Sequence, residues 1–385
     1  MKRKEIIAVL CAICVAGIGA GILLCRSHPL SNVSPSEAPT VTVTAPVPSA
    51  VVNKAAYNSK MLALANRKPQ KHCSPPKAVP SHKGAHSKAS GGPVTIKPAS
   101  YVRKKSVLPP CPAPLWPVHA ALPDSGAVLP FKRIVAYYGN FYSKRMGILG
   151  EYPPTQVLAR LASEASAWAK ADPSTPVVQA VDYIAVSAQG VPGRDGMYRM
   201  RMPASQIKKA ISMANSIHGL AFLDVQPGWS TVEKEIQRLE PYLKLPNVEL
   251  ALDPEFDLPE GKKPGAWRGT MSAADINFAA RFLAKLVREN HLPPKVLVVH
   301  RFTQLMVTDY QAIKPLPQVE IVMDMDGFGS KALKDSTYRS FIARQPVQFT
   351  GFKLFYKNDV KFGGGLMTPA QVLNLSPQPS FILYQ

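Results

Sequence analysis

After position 111 the sequence contains no cysteine; its five are Cys11, Cys14, Cys25, Cys73 and Cys111. That excludes a cysteine nucleophile, a thiolate zinc cluster and a disulfide framework from the remainder of the chain. Cys73 and Cys111 can pair in an oxidising compartment or stand free. Other signatures are missing too. No GxGxxG or GxxxxGK[ST] follows any apolar run, which removes the common nucleotide-binding loops. No GxSxG is present, so a Ser/His/Asp hydrolase has no nucleophile elbow. Neither HExxH nor HxH occurs, and no metal or other cofactor is expected. Acidic residues are scarce in one region: residues 26–130 carry 13 Lys and Arg against 2 Asp and Glu, whereas residues 131–385 carry 30 against 22. The excess positive charge therefore sits largely in front of a mildly basic domain. With no nucleic-acid motif beside it, that pattern does not favour DNA or RNA as a partner.

What is present divides the chain into three. Residues 1–25 hold Lys2, Arg3 and Lys4 followed by the uncharged run Ile6 to Cys25. As a helix that run is about 30 Å long, the thickness of a bilayer core. The flanking charges place the N-terminus in the cytoplasm and the bulk of the chain outside the cell membrane. A cleaved signal peptide is the alternative, although its apolar region is usually only about 7–15 residues long. Lipoprotein processing at Cys25 fits less well, because Leu24 stands where a small residue is expected. Residues 26–130 are rich in Pro, Ser, Ala, Thr and Lys and read as a disordered linker, apart from a possible short helix in NKAAYNSKMLALANR. From FKRIVAYYGN onward the texture is that of a folded domain, residues 131–385.

Within that domain eight short apolar runs alternate with amphipathic stretches. The runs are 133–138, 181–187, 219–225, 247–253, 295–300, 318–324, 350–356 and 380–384. Between them lie helical patterns such as SAADINFAARFLAKLVREN, where Ile276, Ala279, Ala280, Leu283, Leu286 and Val287 fall on one face. Eight repeats in this length indicate a (β/α)8 barrel of the TIM type. The chain ends on the eighth strand, so the usual last helix is missing. Either PLWPVHAAL covers that face or the strand count is off by one.

Barrel active sites lie where the strands end. The stretch VELALDPEFDL begins as a buried strand and closes on Asp253, Glu255 and Asp257. LDVQPG and MDMDGFG have the same form, with polar groups at i and i+2 on one face of an extended segment. Asp224, Asp253, Glu255, Asp324 and Asp326 are thus expected in one acidic pocket, where crowding raises at least one pKa. A protonated carboxyl beside an ionised one is what general acid and base chemistry needs. Asp after a strand is also an ordinary loop starter, but Glu255 is not a favoured turn residue.

Glycoside hydrolysis fits this set, with Glu255 as proton donor and Asp253 or Asp324 as nucleophile, base or electrostatic partner. Tyr138, Asp224, Gln226, His300, Asp326, Lys353 and Tyr384 would then line the sugar sites. Trp229 and Trp267 either stack on sugars or pack beneath loops. A non-catalytic glycan-binding barrel is the alternative, and a metal-dependent phosphodiesterase or amidohydrolase a further one.

The motifs AYYG, MGILGE, PGRDGMYR, LDVQPG, LALDPEF, VVHRFT, DGFG and GFKLFY make the 131–385 region resemble a bacterial family of secreted or lipid-anchored barrel proteins. That resemblance implies the fold and export, and no particular activity. More distantly, Asp253-x-Glu255 is similar to the DxE pair of a muramidase family and to the acidic strand-four motif of chitinase-like barrels. Those families imply Glu255 as the acid. The muramidase pattern also has an Asp at the end of strand one, where this sequence has Tyr137 and Tyr138. The expected partner is a carbohydrate polymer of the cell envelope, with the membrane engaged by the N-terminal helix.

Overall fold

The computed structural model describes residues 52–66 and 114–385. The apolar 6–25 segment, Cys73 and Cys111 lie outside the described residues, and among those described no helix is long and apolar enough to cross a membrane.

All eight apolar runs are strands: β1 Arg133–Gly139, β2 Val177–Ala188, β3 Leu220–Val225, β4 Val248–Leu252, β5 Lys295–Arg301, β6 Val319–Met325, β7 Phe349–Leu354 and β8 Phe381–Tyr384. Each pairs in parallel with the next, and β1 pairs with both β2 and β8, so the sheet closes on itself as an eight-stranded barrel. Helices cover its outside, chiefly α2 Pro154–Ala171, α3 Ala204–Asn215, α4 Val232–Arg238, α5 Ala273–Asn290, α6 Lys331–Tyr338 and α7 Pro369–Leu373. In α5 the six apolar positions read from the sequence are all buried, and Ser272 with Asp275 forms a capping box at its start.

Alternation along the strands separates two cores. Ile134, Ala136, Ala180, Ile184, Phe222, Ala251, Val296, Val298, Val322 and Leu383 point into the barrel. The intervening residues, such as Val135, Val181, Leu223, Leu250, Leu297 and Phe352, pack against the helices.

The linker expectation needs correcting at two places. Residues 54–65 form helix α1, with Asn53 capping its start and Asn66, at φ 42°, ending it in the left-handed conformation. Its buried residues Tyr57, Met61 and Ala65 recur every four positions, so they make one stripe, and that stripe packs with Leu129, Ile134 and Phe381 at the N-terminal end of the barrel. Asn66 also donates to the carbonyls of Leu373 and Leu375, tying α1 to the turn before β8. Residues 114–130 cross the same end. Trp116 Nε1 donates to the Ala343 carbonyl, and the N–H groups of Val128 and Leu129 donate to Glu320 at 3.0 and 2.7 Å. PLWPVHAAL thus runs across this end, with Leu122 against the barrel core, and the buried Leu129 that follows closes the floor, so neither stands in for a last helix. The outer face of β8 is covered by α2, whose Trp168 Nε1 donates to Tyr384 Oη.

Glu320 is fully buried, and burial pushes its carboxyl well above the usual range. Replacing it by Ala strands the buried N–H of Leu129 and the half-buried N–H of Val128. The expected cost is about 2–4 kcal/mol, seen as a lower urea midpoint; an unchanged midpoint would show that the 128–129 clamp contributes nothing.

Candidate active site

Residues near the C-terminal ends of six strands converge in the barrel. Tyr138, Asp224, Asp253, His300, Asp324 and Lys353 all point inward and are at most 3% exposed. His300 is at the centre: Nδ1 lies 3.0 Å from Asp324 Oδ2 and 3.8 Å from Asp326 Oδ2, while Nε2 lies 3.4 Å from Asp224 Oδ2. Burial opposes a charge on this imidazole, but Asp224, Asp324 and Asp326 outweigh it and push the pKa well up. Lys353 Nζ holds Asp326 at 3.0 and 3.2 Å and sits 3.7 Å from the centre of the Tyr138 ring. The carboxylate of Asp324 lies over Gly351, where a Cβ would come within 2.5 Å of Oδ1. A glycine in β7 is what lets that acid fit.

The stretch that closes β4 divides its acids by depth. Asp253 Oδ2 accepts from Gln226 Nε2 at 3.2 Å, and its Oδ1 accepts the Glu255 N–H, also at 3.2 Å. Asp253 therefore caps the 3-10 turn Pro254–Phe256 and fixes the backbone of Glu255. The Glu255 carbonyl accepts the N–H of Gly269 at 2.6 Å, a contact that needs glycine, since a Cβ there would meet Asp257 O and Pro254 O at 2.5 Å. Glu255 itself is partly exposed at the barrel mouth. Burial, reinforced by Asp326 and opposed by Arg268 and Lys353, pushes its pKa up to about 7. Burial pushes the neighbouring Asp257 up to about 7 as well, with Asp275 adding to it.

These shifts have a signed consequence. Both carboxyls hold protons in the folded state that they release near pH 4 when unfolded. Their stabilising contribution is complete below about pH 4 and is lost as pH rises through about 7. Urea unfolding of the wild type is expected to show stability falling between pH 5 and 7.5, and this fall should shrink in a Glu255→Gln, Asp257→Asn double variant. An identical slope in both proteins would contradict the assignment.

Nine of the ten expected site residues come together here. The tenth, Tyr384, does not. Lys353 pairs with Leu383 and Leu354 with Tyr384, so an inward Lys353 puts Leu383 inside and Tyr384 outside. Its ring packs against Tyr137 and Tyr356 beneath α2. Asp324, expected as a partner for Glu255, is sealed behind His300, and Asp253 is occupied in holding the turn. Of the five acids expected in the pocket, Asp326 is the one besides Glu255 that is not fully buried. Trp229 packs beneath the following loop, donating to the Lys262 carbonyl at 2.6 Å and contacting Tyr198. Trp267 is 55% exposed, with Lys262 Nζ 3.5 Å from its ring centre. Sequence reasoning missed Asp182, an inward and fully buried acid in the middle of β2. Its signal was available: AVDYIAVS carries one charge on the same parity as the inward Ala180 and Ile184. Arg268, near Glu255 in a loop, had no such signal.

No family model matches the chain, and no curated protein matches it. Among solved structures it is similar to a Bacillus subtilis mannanase at 11% identity and a TM-score of 0.34, over 69% of this chain and 88% of the mannanase. A second mannanase structure from Bacillus subtilis gives 11% and 0.31, covering 67% and 81%. GH26C from a Muricauda species gives 10% and 0.29, covering 65% and 70%. At these values chemistry has to be read from the side chains.

Proposed function

We propose that this chain is an exported, membrane-tethered, glycoside-hydrolase-like barrel that cleaves a carbohydrate polymer of the cell envelope, with Glu255 as general acid and Asp326 as nucleophile or base. The observation that carries this reading is a pair of partly exposed carboxyls at the barrel mouth, one on a fixed turn and one ion-paired to Lys353. Glu255 gives its proton to the glycosidic oxygen as the bond to the anomeric carbon breaks, and the bonding pair leaves with that oxygen. Asp326 either attacks the anomeric carbon or takes a proton from the water that does. Asp253 is a positioning residue, acting through the Glu255 backbone. Gln226, which bonds Asp253 and Tyr138, supports it. The exposed Trp267 ring is a platform for a sugar face.

The reading is tested by incubating the full-length chain with peptidoglycan and a panel of envelope polysaccharides and detecting oligosaccharide products by mass spectrometry. Products from the wild type and none from Asp326→Asn support it. Tight binding without products from any substrate would favour a glycan-binding barrel instead.

A further inference from the structure

Beneath the mouth lies a second constellation that glycoside cleavage does not use. Asp182, Asp224 and His300 are fully buried, and one ligand atom from each lies within 4.8 Å of the others. Both carboxylate oxygens of Asp182, both of Asp224, and Nε2 of His300 have no hydrogen-bond partner. Three side chains that converge with unanswered polar atoms are costly in a barrel interior, where buried polar groups are normally paired.

Protons on the imidazole answer this arrangement only in part. A proton on His300 Nε2 serves Asp224 alone, at 3.4 Å and without hydrogen-bonding alignment. A divalent cation would answer all three groups at once. The 3.4 Å between Nε2 and Asp224 Oδ2 also matches the edge of a tetrahedron whose metal–ligand bonds are about 2.0–2.1 Å. The outer contacts fit as well. His300 Nδ1–H donates to Asp324 at 3.0 Å, so a cation that displaces the Nε2 proton would find the Nε2 lone pair on the side of Asp224 and Asp182.

We propose that Asp182, Asp224 and Nε2 of His300 form a binding site for one divalent first-row cation, Zn²⁺ or Mn²⁺. The mixed oxygen and nitrogen donors suit these ions better than Ca²⁺ or Mg²⁺, which prefer oxygen alone. The sequence reading expected no metal because it looked for paired histidines; the third ligand here is the mid-strand Asp182. The cation holds β2, β3 and β5 together under the catalytic turn. Because its readout is metal content, its failure is distinct from failure of the glycosidase reading.

The test is made on the full-length chain, stripped with chelator and titrated separately with Zn²⁺ and Mn²⁺ by calorimetry. One equivalent of either ion, a raised thermal midpoint, and at least tenfold weaker binding in folded Asp182→Asn are expected. If that variant does not fold, X-ray absorption of the wild-type zinc form decides: imidazole and carboxylate ligation supports the site. Sulfur ligation would place the ion on the cysteines and overturn it. So would a folded wild type that takes up neither ion, leaving the pocket to water, or binding unchanged by Asp182→Asn.

Discussion

Glu255→Gln is expected to lower kcat on an unactivated polysaccharide by about 10³-fold, within the range typical for loss of a general acid. The amide keeps the shape of the side chain and the backbone contacts to Asp253 and Gly269, so substrate binding should persist. The size of the loss should depend on the leaving group. A sugar hydroxyl leaves poorly without a proton, whereas a dinitrophenolate leaves readily. On a dinitrophenyl glycoside the same variant should lose about tenfold or less. The pH profile adds an independent sign. An acid with a pKa of about 7 is protonated below that value, so wild-type kcat/KM should fall as pH rises through about 7. A uniform loss on both substrates, with the alkaline limb unchanged, would assign Glu255 to binding rather than proton transfer.

Glu235→Ala is expected to have the largest effect on stability. This carboxylate, fully buried at the start of α4, accepts from Arg199 Nε at 2.8 Å, Arg201 Nε at 2.7 Å, Arg201 Nη2 at 2.8 Å and Ser230 Oγ at 2.5 Å. Burial works against its charge, but Arg201, Ser230 and Arg199 hold its pKa below the usual range. Truncation leaves Arg199, itself 6% exposed, with only the outer Asp195 as an ionic partner. Breaking a buried pair in this way costs about 3–5 kcal/mol. Denaturant unfolding should show that loss, and near-wild-type stability would mean the pair contributes little beyond its desolvation. The network ties the segment after β2 to the loop carrying Trp229.

The strands were legible because a barrel strand buries both faces. Runs such as VLVVH and VEIVMD therefore stand out without alternation. Helix α5 was legible for the opposite reason, since one face is polar. Helix α6 was not: its buried residues are Lys334 and Tyr338, and a lysine toward the core breaks the apolar period. Lys334 is tolerated there because its ammonium meets Asp359 at 3.0 Å and the carbonyls of Gly327 and Lys353 at 2.8 and 2.7 Å. Helix α1 was visible only as a possibility, because three apolar positions in a Pro- and Lys-rich context look like a linker until the barrel floor they cover is known. At the site, the i and i+2 rule presumed an extended chain, but Pro254–Phe256 is a 3-10 turn, so Asp253 and Glu255 end at different depths. Listing strand endings without parity admitted Tyr384. Restricting attention to strand endings omitted Asp182. Which acids reach solvent depends on depth along the barrel axis, and no pattern in the sequence encodes that depth.

Release of reducing ends from peptidoglycan and envelope polysaccharides, measured for the full-length chain beside Glu255→Gln, tests the central claim most directly. The account predicts release by the wild type from at least one of these polymers, with that release abolished in the variant while binding is kept. Equal release by both proteins, or none by the wild type from a polymer it binds, would contradict it.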